Sequence, residues 1–334
     1  MFFLENDTLD VNRELPSARH IFGLYGYSKF YMEKEAVMAK ESLHQTSAIS
    51  RDIITLYDRF THGGMDRRAF MSGLTKLAGS TAAAAALLPL LHNNYAQAET
   101  INPYDPRLET AEGVAITGGE KGLTGYLARP KGSGKLSSVL VIHENRGLNP
   151  HIKDITRRFA LEGFLALGLD ELSPDGGTPE DEDKARDMFA KLTGEVAEAR
   201  AASAIRFLAT HPQSTGKVGA VGFCWGGGIV NRVAAGEPML KAGIAYYGPQ
   251  PPAERVASIK AALMLHYAGL DQRIDAGIPA YQAALDAAKV HYQLFIYDNV
   301  DHAFNNDTNA ARYNEAAAKL AWSRSVEFLK RELV

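Results

Sequence analysis

From residue 101 onward, short apolar runs alternate with stretches of helical periodicity. Residues 113–117 and 123–129 alternate apolar and polar positions on either side of a glycine-bearing segment, 118–122, which predicts a hairpin of half-exposed strands. The run 136–144 contains Val139, Leu140, Val141 and Ile142, a buried strand, and 164–170 predicts a second. An amphipathic helix is expected over 151–161 and a long helical region over 180–210, broken near Gly194. A short buried strand is expected over 217–221, followed by a helix over 229–235. Further strands are expected over 242–247, 261–268 and 292–297, and further helices over 278–289 and 310–333. Strands separated by helices, with near-continuous apolar runs, indicate an α/β fold whose mostly parallel sheet is covered by helices on both faces. In such sheets functional groups collect in the loops beyond the carboxyl ends of the strands.

The first 98 residues have another character and are expected to form an N-terminal extension, with the α/β domain over 99–334. Residues 1–64 are polar and weakly periodic, with helices expected over 33–43 and 49–60. Arg67 and Arg68 then precede an alanine-rich apolar run over 74–91 and a small-x-small end at Ala96 and Ala98. Charged region, apolar region and cleavage-like end over 65–98 resemble a twin-arginine export signal, which predicts a periplasmic protein cleaved after Ala98. The twin arginine lies far from residue 1, as a start at Met38 or Met65 would explain. The alternative is a cytoplasmic protein in which the alanine-rich helix is retained and packs on its surface or on a second subunit. The run is mild and contains Pro89, so no stable membrane span is expected.

Composition narrows the class only a little. The apolar and charged fractions are those of a soluble globular chain, and no solenoid or propeller period is visible. A net charge of −3 gives no footprint for nucleic acid. The single cysteine, Cys224, has no partner for an internal disulfide or a multi-cysteine metal site.

That cysteine lies in Gly222-x-Cys224-x-Gly226, the nucleophile-elbow pattern G-x-S-x-G with a thiol in place of the hydroxyl. A nucleophile on a sharp strand-to-helix turn sits in a strained backbone, and flanking glycines keep strand and helix apart. The helix start aims unpaired N–H groups at the nucleophile, which lowers a thiol pKa and can hold an oxyanion. The competing reading is a buried structural cysteine, which packs as a small hydrophobe. Two later strands also run into reactive residues. One leads to Gly269-Leu270-Asp271 and the other to Asp301-His302. Nucleophile, acid and histidine in this order, each past a strand, is the order of the α/β-hydrolase triad. Cys224 would be the nucleophile, His302 would exchange its proton and activate water, and Asp271 would orient His302. His143, His151 and His266 show no ligand spacing, so no metal and no other cofactor is expected.

Residues from about 100 to 334 resemble the dienelactone hydrolase family, cysteine-dependent members of the α/β-hydrolase fold. The resemblance is carried by 139–149, 163–170, 216–227 with its Gly-Phe-Cys-Trp-Gly-Gly elbow, Gly269-Leu270-Asp271 and 301–304. It implies Cys224, Asp271 and His302 as triad, and a glutamate, Glu144, that contacts and activates the thiol. It also implies the backbone N–H groups of Asn145 and Trp225 as oxyanion hole. The expected substrate is a small ester or lactone of the carboxymethylenebutenolidase type, opened through an acyl-thioester. A thiolate suits an activated enol ester and suits an amide poorly. Where dienelactone-cleaving members carry an arginine four residues past the histidine, this chain has Asn306. Loss of such a bidentate anchor weakens carboxylate recognition. Arg146, Arg186, Tyr247 and Phe304 are expected to contact substrate, with Tyr246 and Trp225 close by. The alternative function is a non-catalytic or redox-sensing thiol on the same fold. A third reading places the protein's business, binding or anchoring, in residues 1–98. Nothing in the sequence sets an oligomeric state.

Overall fold

A computed structural model describes residues 49–95 and 100–333. The helix expected over 33–43 and the cleavage-like end at Ala96 and Ala98 lie outside the described residues.

Three helices come first: α1 (Arg51–Thr61), α2 (Arg67–Ala78) and α3 (Thr81–Leu91). The Asp66 side chain caps α2 by accepting from the Ala69 N–H, and Ser80 does the same for α3 through Ala83. Gly79, in the left-handed region at φ 81°, separates the two, which meet at a bend of 111°. Among the described residues no single helix is long and apolar enough to cross a membrane. The apolar side of α1 to α3 is buried: Phe60 stacks on Phe70 at 4.4 Å, and Leu74 and Leu91 are fully covered. Assigned from sequence to an extension ending at 98, these helices belong to the same compact unit as the sheet, which begins at Arg51.

The sheet has eight strands among the described residues, in the order β1-β2-β4-β3-β5-β6-β7-β8. They are β1 (Leu108–Ala115), β2 (Thr124–Pro130), β3 (Leu136–Ile142), β4 (Leu165–Asp170), β5 (Ser214–Phe223), β6 (Leu240–Tyr246), β7 (Ala262–Ala268) and β8 (Tyr292–Tyr297). The expected hairpin is the antiparallel pair β1–β2, and β2 also runs antiparallel to β4. All other neighbours are parallel. Alternate residues feed opposite cores. Val139 and Val141 of β3 face α4 (Pro150–Leu161), while Leu140 and Ile142 belong to the apolar layer with α6 (Gly194–Thr210). This double burial explains why the central strands read as continuous apolar runs.

The expected helix over 180–210 is two: α5 (Glu182–Phe189) and α6, whose N-terminus is capped by Thr193 through the Val196 N–H. The elbow helix α7 (Trp225–Ala234) starts four residues earlier than the apolar pattern suggested. Its glycine-rich first turn is pressed against β6, where a Cβ on Gly227 would meet the Tyr246 carbonyl oxygen at 2.8 Å. A short α8 (Gln272–Asp275) and α9 (Ile278–Ala287) precede β8. The last helix, α10 (Glu315–Glu332), starts later than expected, so residues 298–314 form a long loop at the carboxyl edge of the sheet.

Candidate active site

The parallel register brings the ends of β3, β5, β6, β7 and β8 to one edge. Ile142 pairs with Gly222 and Gly222 with Ala245, so segments 143–146 and 247–248 emerge on either side of the elbow. Cys224 sits there at φ 54°, ψ −116°, and its N–H donates to the Tyr246 carbonyl at 3.0 Å. Both flanking glycines are required. A Cβ on Gly222 would lie 2.1 Å from the Gly226 carbonyl oxygen, and one on Gly226 would lie 2.4 Å from that of His143.

His302, from the loop after β8, places Nδ1 2.5 Å from Asp271 Oδ2, from the loop after β7. His302 Nε2 is buried without a hydrogen-bond partner among the described residues. On the other side of the sulfur stands His62, just past the end of α1. Its Nε2 is 3.2 Å from Cys224 Sγ. Its Nδ1 lies 2.8 Å from the Asp58 carbonyl oxygen and 3.1 Å from Asp58 Oδ1. The two imidazoles meet edge to face, centroids 4.6 Å apart.

Electrostatics follow from this arrangement. Burial pushes the Cys224 thiol up, but the charges of His62 and then His302 outweigh it and bring the thiol down to about 6. Burial disfavours a charged His302; the Cys224 thiolate and Asp271 overcome this and raise it to about 10. Burial likewise opposes a charged His62, and Cys224 and Asp58 raise it nonetheless. The thiolate and each imidazolium thus favour one another, as in an ion pair, while the charge of His302 opposes that of His62.

A cavity of about 610 Å³ opens over the sulfur, lined by His62, Cys224, Trp225, Tyr247, His302 and residues of α1, α2 and α5. Asn145 lines it too, and the Asn145 N–H makes no hydrogen bond to another described residue. The Trp225 N–H lies in the first turn of α7, where no intrahelical acceptor exists. Two unpaired donors therefore flank the nucleophile, as an oxyanion hole needs.

Of the residues expected at the substrate, Arg186 and Tyr247 line this cavity. The Arg186 guanidinium pairs with Asp183 at 3.0 Å and lies over the Phe60 ring at 4.3 Å. Phe304 does not line it, and that expectation is corrected; Arg146 borders Cys224 and His302 in a small adjoining cavity with Glu144 and Asn145. Arg146 is turned toward Glu182, 3.6 Å away, and donates to Asn145 Oδ1 at 3.0 Å. Phe304 is fully buried among Tyr246, Tyr247 and Tyr297, because the aromatic ends of β6 and β8 close over it. Tyr246 is buried as well, its hydroxyl shared with Ser325 at 2.7 Å. Glu144 is buried but hydrogen-bonds elsewhere than the thiol: it accepts from Asn306 Nδ2 at 3.0 Å and from the Tyr247 hydroxyl at 3.4 Å. Asn306, at the position of the family's arginine, is spent on Glu144 and Thr308. Arg67, first of the twin arginines, lines the cavity and pairs with Asp183.

His62 and Asp58 were not anticipated from the sequence. Asp58-x-x-x-His62 is the spacing of one helix face, and that was the only available signal. Among the described residues, His62, Cys224 and His302 are the one histidine, cysteine or acidic trio whose ligand atoms lie close together, all within 4.8 Å. The three histidines weighed above as ligands make separate contacts. His143 stacks on Trp225, His151 pairs with Asp307, and His266 bonds Ser325 and Tyr297.

The family model described as "Dienelactone hydrolase family" matches residues 123–333. A "Putative carboxymethylenebutenolidase" of Salmonella typhi is 34% identical over 219 residues, covering 61% of this chain and 80% of the relative. A protein of the same name from Saccharolobus solfataricus is 33% identical over 242 residues, covering 62% of this chain and 93% of the relative. Among solved structures, a "Putative Dienelactone Hydrolase" from Klebsiella pneumoniae superposes with a TM-score of 0.59 at 28% identity, covering 67% of this chain and 99% of that one.

Proposed function

Since the chain belongs to the dienelactone hydrolase family, we propose that this hydrolase opens an ester or lactone of the carboxymethylenebutenolidase type through the Cys224 thiolate. The observation that carries the reading is the elbow: Cys224 stands at a positive φ at the start of α7, beside a cavity, with the His62 imidazole on its sulfur and a His302 ring nitrogen within 4.8 Å.

The chemistry follows from these positions. The sulfur attacks the acyl carbon, a C–S bond forms, and the carbonyl electron pair moves onto oxygen, toward the Asn145 and Trp225 N–H groups. Collapse breaks the C–O bond and leaves an acyl-thioester. An imidazole at the sulfur supplies the proton that the departing oxygen needs and takes one from the water that attacks the thioester. In the triad pattern that imidazole is His302, oriented by Asp271. Glu144 accepts from Asn306 and Tyr247 and not from the thiol, so in this reading the resting thiolate is stabilised by histidine. The cavity favours a neutral or weakly anionic substrate. Asn306 replaces the family's anchor, and both Arg67 and Arg186 already hold Asp183.

The test is hydrolysis by the full chain of dienelactone and of a carboxylate-free aryl ester, in wild type and Cys224→Ala. Turnover by wild type and its loss in Cys224→Ala are expected, with the acyl-enzyme trapped by acid quench as a mass increment on the Cys224 peptide. Equal turnover by both proteins would sink the thiolate mechanism.

A further inference from the structure

We infer that Asp58 and His62, brought in by α1, form a second acid–base dyad that protonates the leaving group, so that the N-terminal helices complete the active site. This inference rests on the hydrolase reading above.

The geometry resembles that of the first pair. In both, an imidazole has Nδ1 beside a carboxylate and Nε2 toward the centre of the site: Asp271–His302 is hydrogen-bonded at 2.5 Å, whereas Asp58–His62 is an ion-pair contact at 3.1 Å, the hydrogen bond of His62 Nδ1 going to the Asp58 backbone carbonyl at 2.8 Å. His62 Nε2 is the polar atom hydrogen-bonded to the sulfur, at 3.2 Å. Asp58 is itself fixed by Arg273, at 3.5 Å, and Arg312, at 4.0 Å. The charged groups that face His62 are therefore Asp58, Cys224 and His302, with the two arginines behind Asp58. The position of α1 is not left to its own apolar face. Asn145 Nδ2 donates to the Thr61 carbonyl at 2.7 Å, so the loop offering an oxyanion donor also grips the residue before His62.

Two imidazoles resolve a conflict that one would face. A lone imidazolium must hold the sulfur's charge and also give up its proton when the leaving oxygen departs. With both present, His302 keeps its proton and stabilises the thiolate. When the tetrahedral intermediate collapses, the C–O bond breaks and its electron pair takes the proton from His62 Nε2. His62, now neutral, accepts one proton from the water that attacks the thioester. The C–S bond breaks and its pair returns to sulfur as thiolate. The products are the alcohol and an acid that ionises to solvent, and the enzyme is back in its starting protonation state.

The experiment uses the full chain as wild type, His62→Gln, Asp58→Asn and Cys224→Ala, against esters of one acid whose alcohols run from 4-nitrophenol to ethanol. A general acid matters little to a leaving group that departs unaided and greatly to one that does not. In His62→Gln the loss of kcat/KM should grow from under about 10-fold for the nitrophenyl ester to about 100-fold or more for the alkyl ester. Asp58→Asn should follow the same trend more weakly. A loss of equal size across the series, or none, would overturn the dyad while leaving the hydrolase reading intact. A wild type inert on every ester would overturn the hydrolase reading, and the dyad with it. Circular dichroism confirms that each variant is folded. If His62→Gln does not fold, Asp58→Asn decides by the same slope.

Discussion

His62 Nε2 lies 3.2 Å from Cys224 Sγ, across 162 positions of sequence. The contact joins a helix that precedes the α/β fold to the nucleophile at its centre, and it changes what the site can be. A thiol beside one imidazole is a dyad; a thiol between two, each backed by a carboxylate, carries its negative charge in a positive field before substrate arrives.

The pH profile should show that field. The reactive form needs Cys224 deprotonated, and His62 and His302 outweigh burial to set its pKa at about 6. kcat/KM should therefore rise as pH climbs through about 6. His302 must keep its proton, which the thiolate and Asp271 hold to about 10, and His62 must keep the one it donates, which the thiolate and Asp58 also raise, so the plateau should fall on the alkaline side. Asp271→Asn removes one cause of the raised value and should move the alkaline limb downward. His62→Gln removes the largest cause lowering the thiol and should move the acid limb upward by about one pH unit or more. Thiolate absorbance near 240 nm, followed against pH, checks both assignments. An acid limb unmoved in His62→Gln would contradict the first.

Gly222→Ala and Gly226→Ala should each cripple the elbow. The added Cβ would meet backbone carbonyl oxygen at 2.1 and 2.4 Å, and backbone cannot swing aside as a side chain can. Overpacking of this kind costs about 1–3 kcal/mol or more. The expected outcome is a lowered unfolding midpoint in denaturant and, in any folded fraction, loss of most esterase activity, because α7 and the Trp225 N–H move together. Full activity in either variant would mean that the turn is looser than its contacts imply.

Asn306→Leu tests how Glu144 is held. Asn306 is buried and its amide donates to Glu144 Oε2 at 3.0 Å. A leucine would leave that buried carboxylate oxygen without the donor, at a cost of about 1–3 kcal/mol. Denaturant unfolding should register this loss. If instead Glu144 swings toward the sulfur, its negative charge should raise the thiol pKa, and the acid limb of the profile should rise with it.

Much of this was legible in the sequence, for a physical reason. Strands buried on both faces write themselves as apolar runs, and the order of Cys224, Asp271 and His302 past such runs follows from a parallel sheet that collects its loops on one edge. What was not legible depends on contacts between distant segments. Phe304 stands beside a catalytic-type histidine, yet the ends of β6 and β8 enclose it; nothing local distinguishes a lining aromatic from a buried one. The pairing of Arg146 with Glu182 is likewise a contact between distant segments that no local pattern announces. Asp58 and His62 have the spacing of any polar helix face, and only the docking of α1 on the elbow gives that face a partner.

The docking also bears on where the mature chain begins. Cleavage after Ala98 would remove α1 to α3, and with them His62. The structure gives those helices reasons to stay. Phe60, Phe70, Leu74 and Leu91 are buried, each worth about 1.5–3 kcal/mol as removed apolar surface. Asn309 Nδ2 donates to the Leu91 carbonyl at 2.8 Å and Asn94 N–H to that of Thr308, which ties the segment to the loop that carries His302. Arg67 is held by Asp183 at the rim of the cavity rather than left free in a flexible leader. We therefore expect the protein isolated from its native cell to retain residues 51–95, whichever compartment holds it. Intact mass and N-terminal peptide mapping decide this. Leu74→Ala should cost about 2–5 kcal/mol at a fully buried site and lower alkyl-ester turnover more than nitrophenyl-ester turnover, because it loosens the seat of His62. A mature chain beginning at Glu99 with undiminished alkyl-ester turnover would remove the N-terminal helices from the mechanism and return both proton transfers to His302.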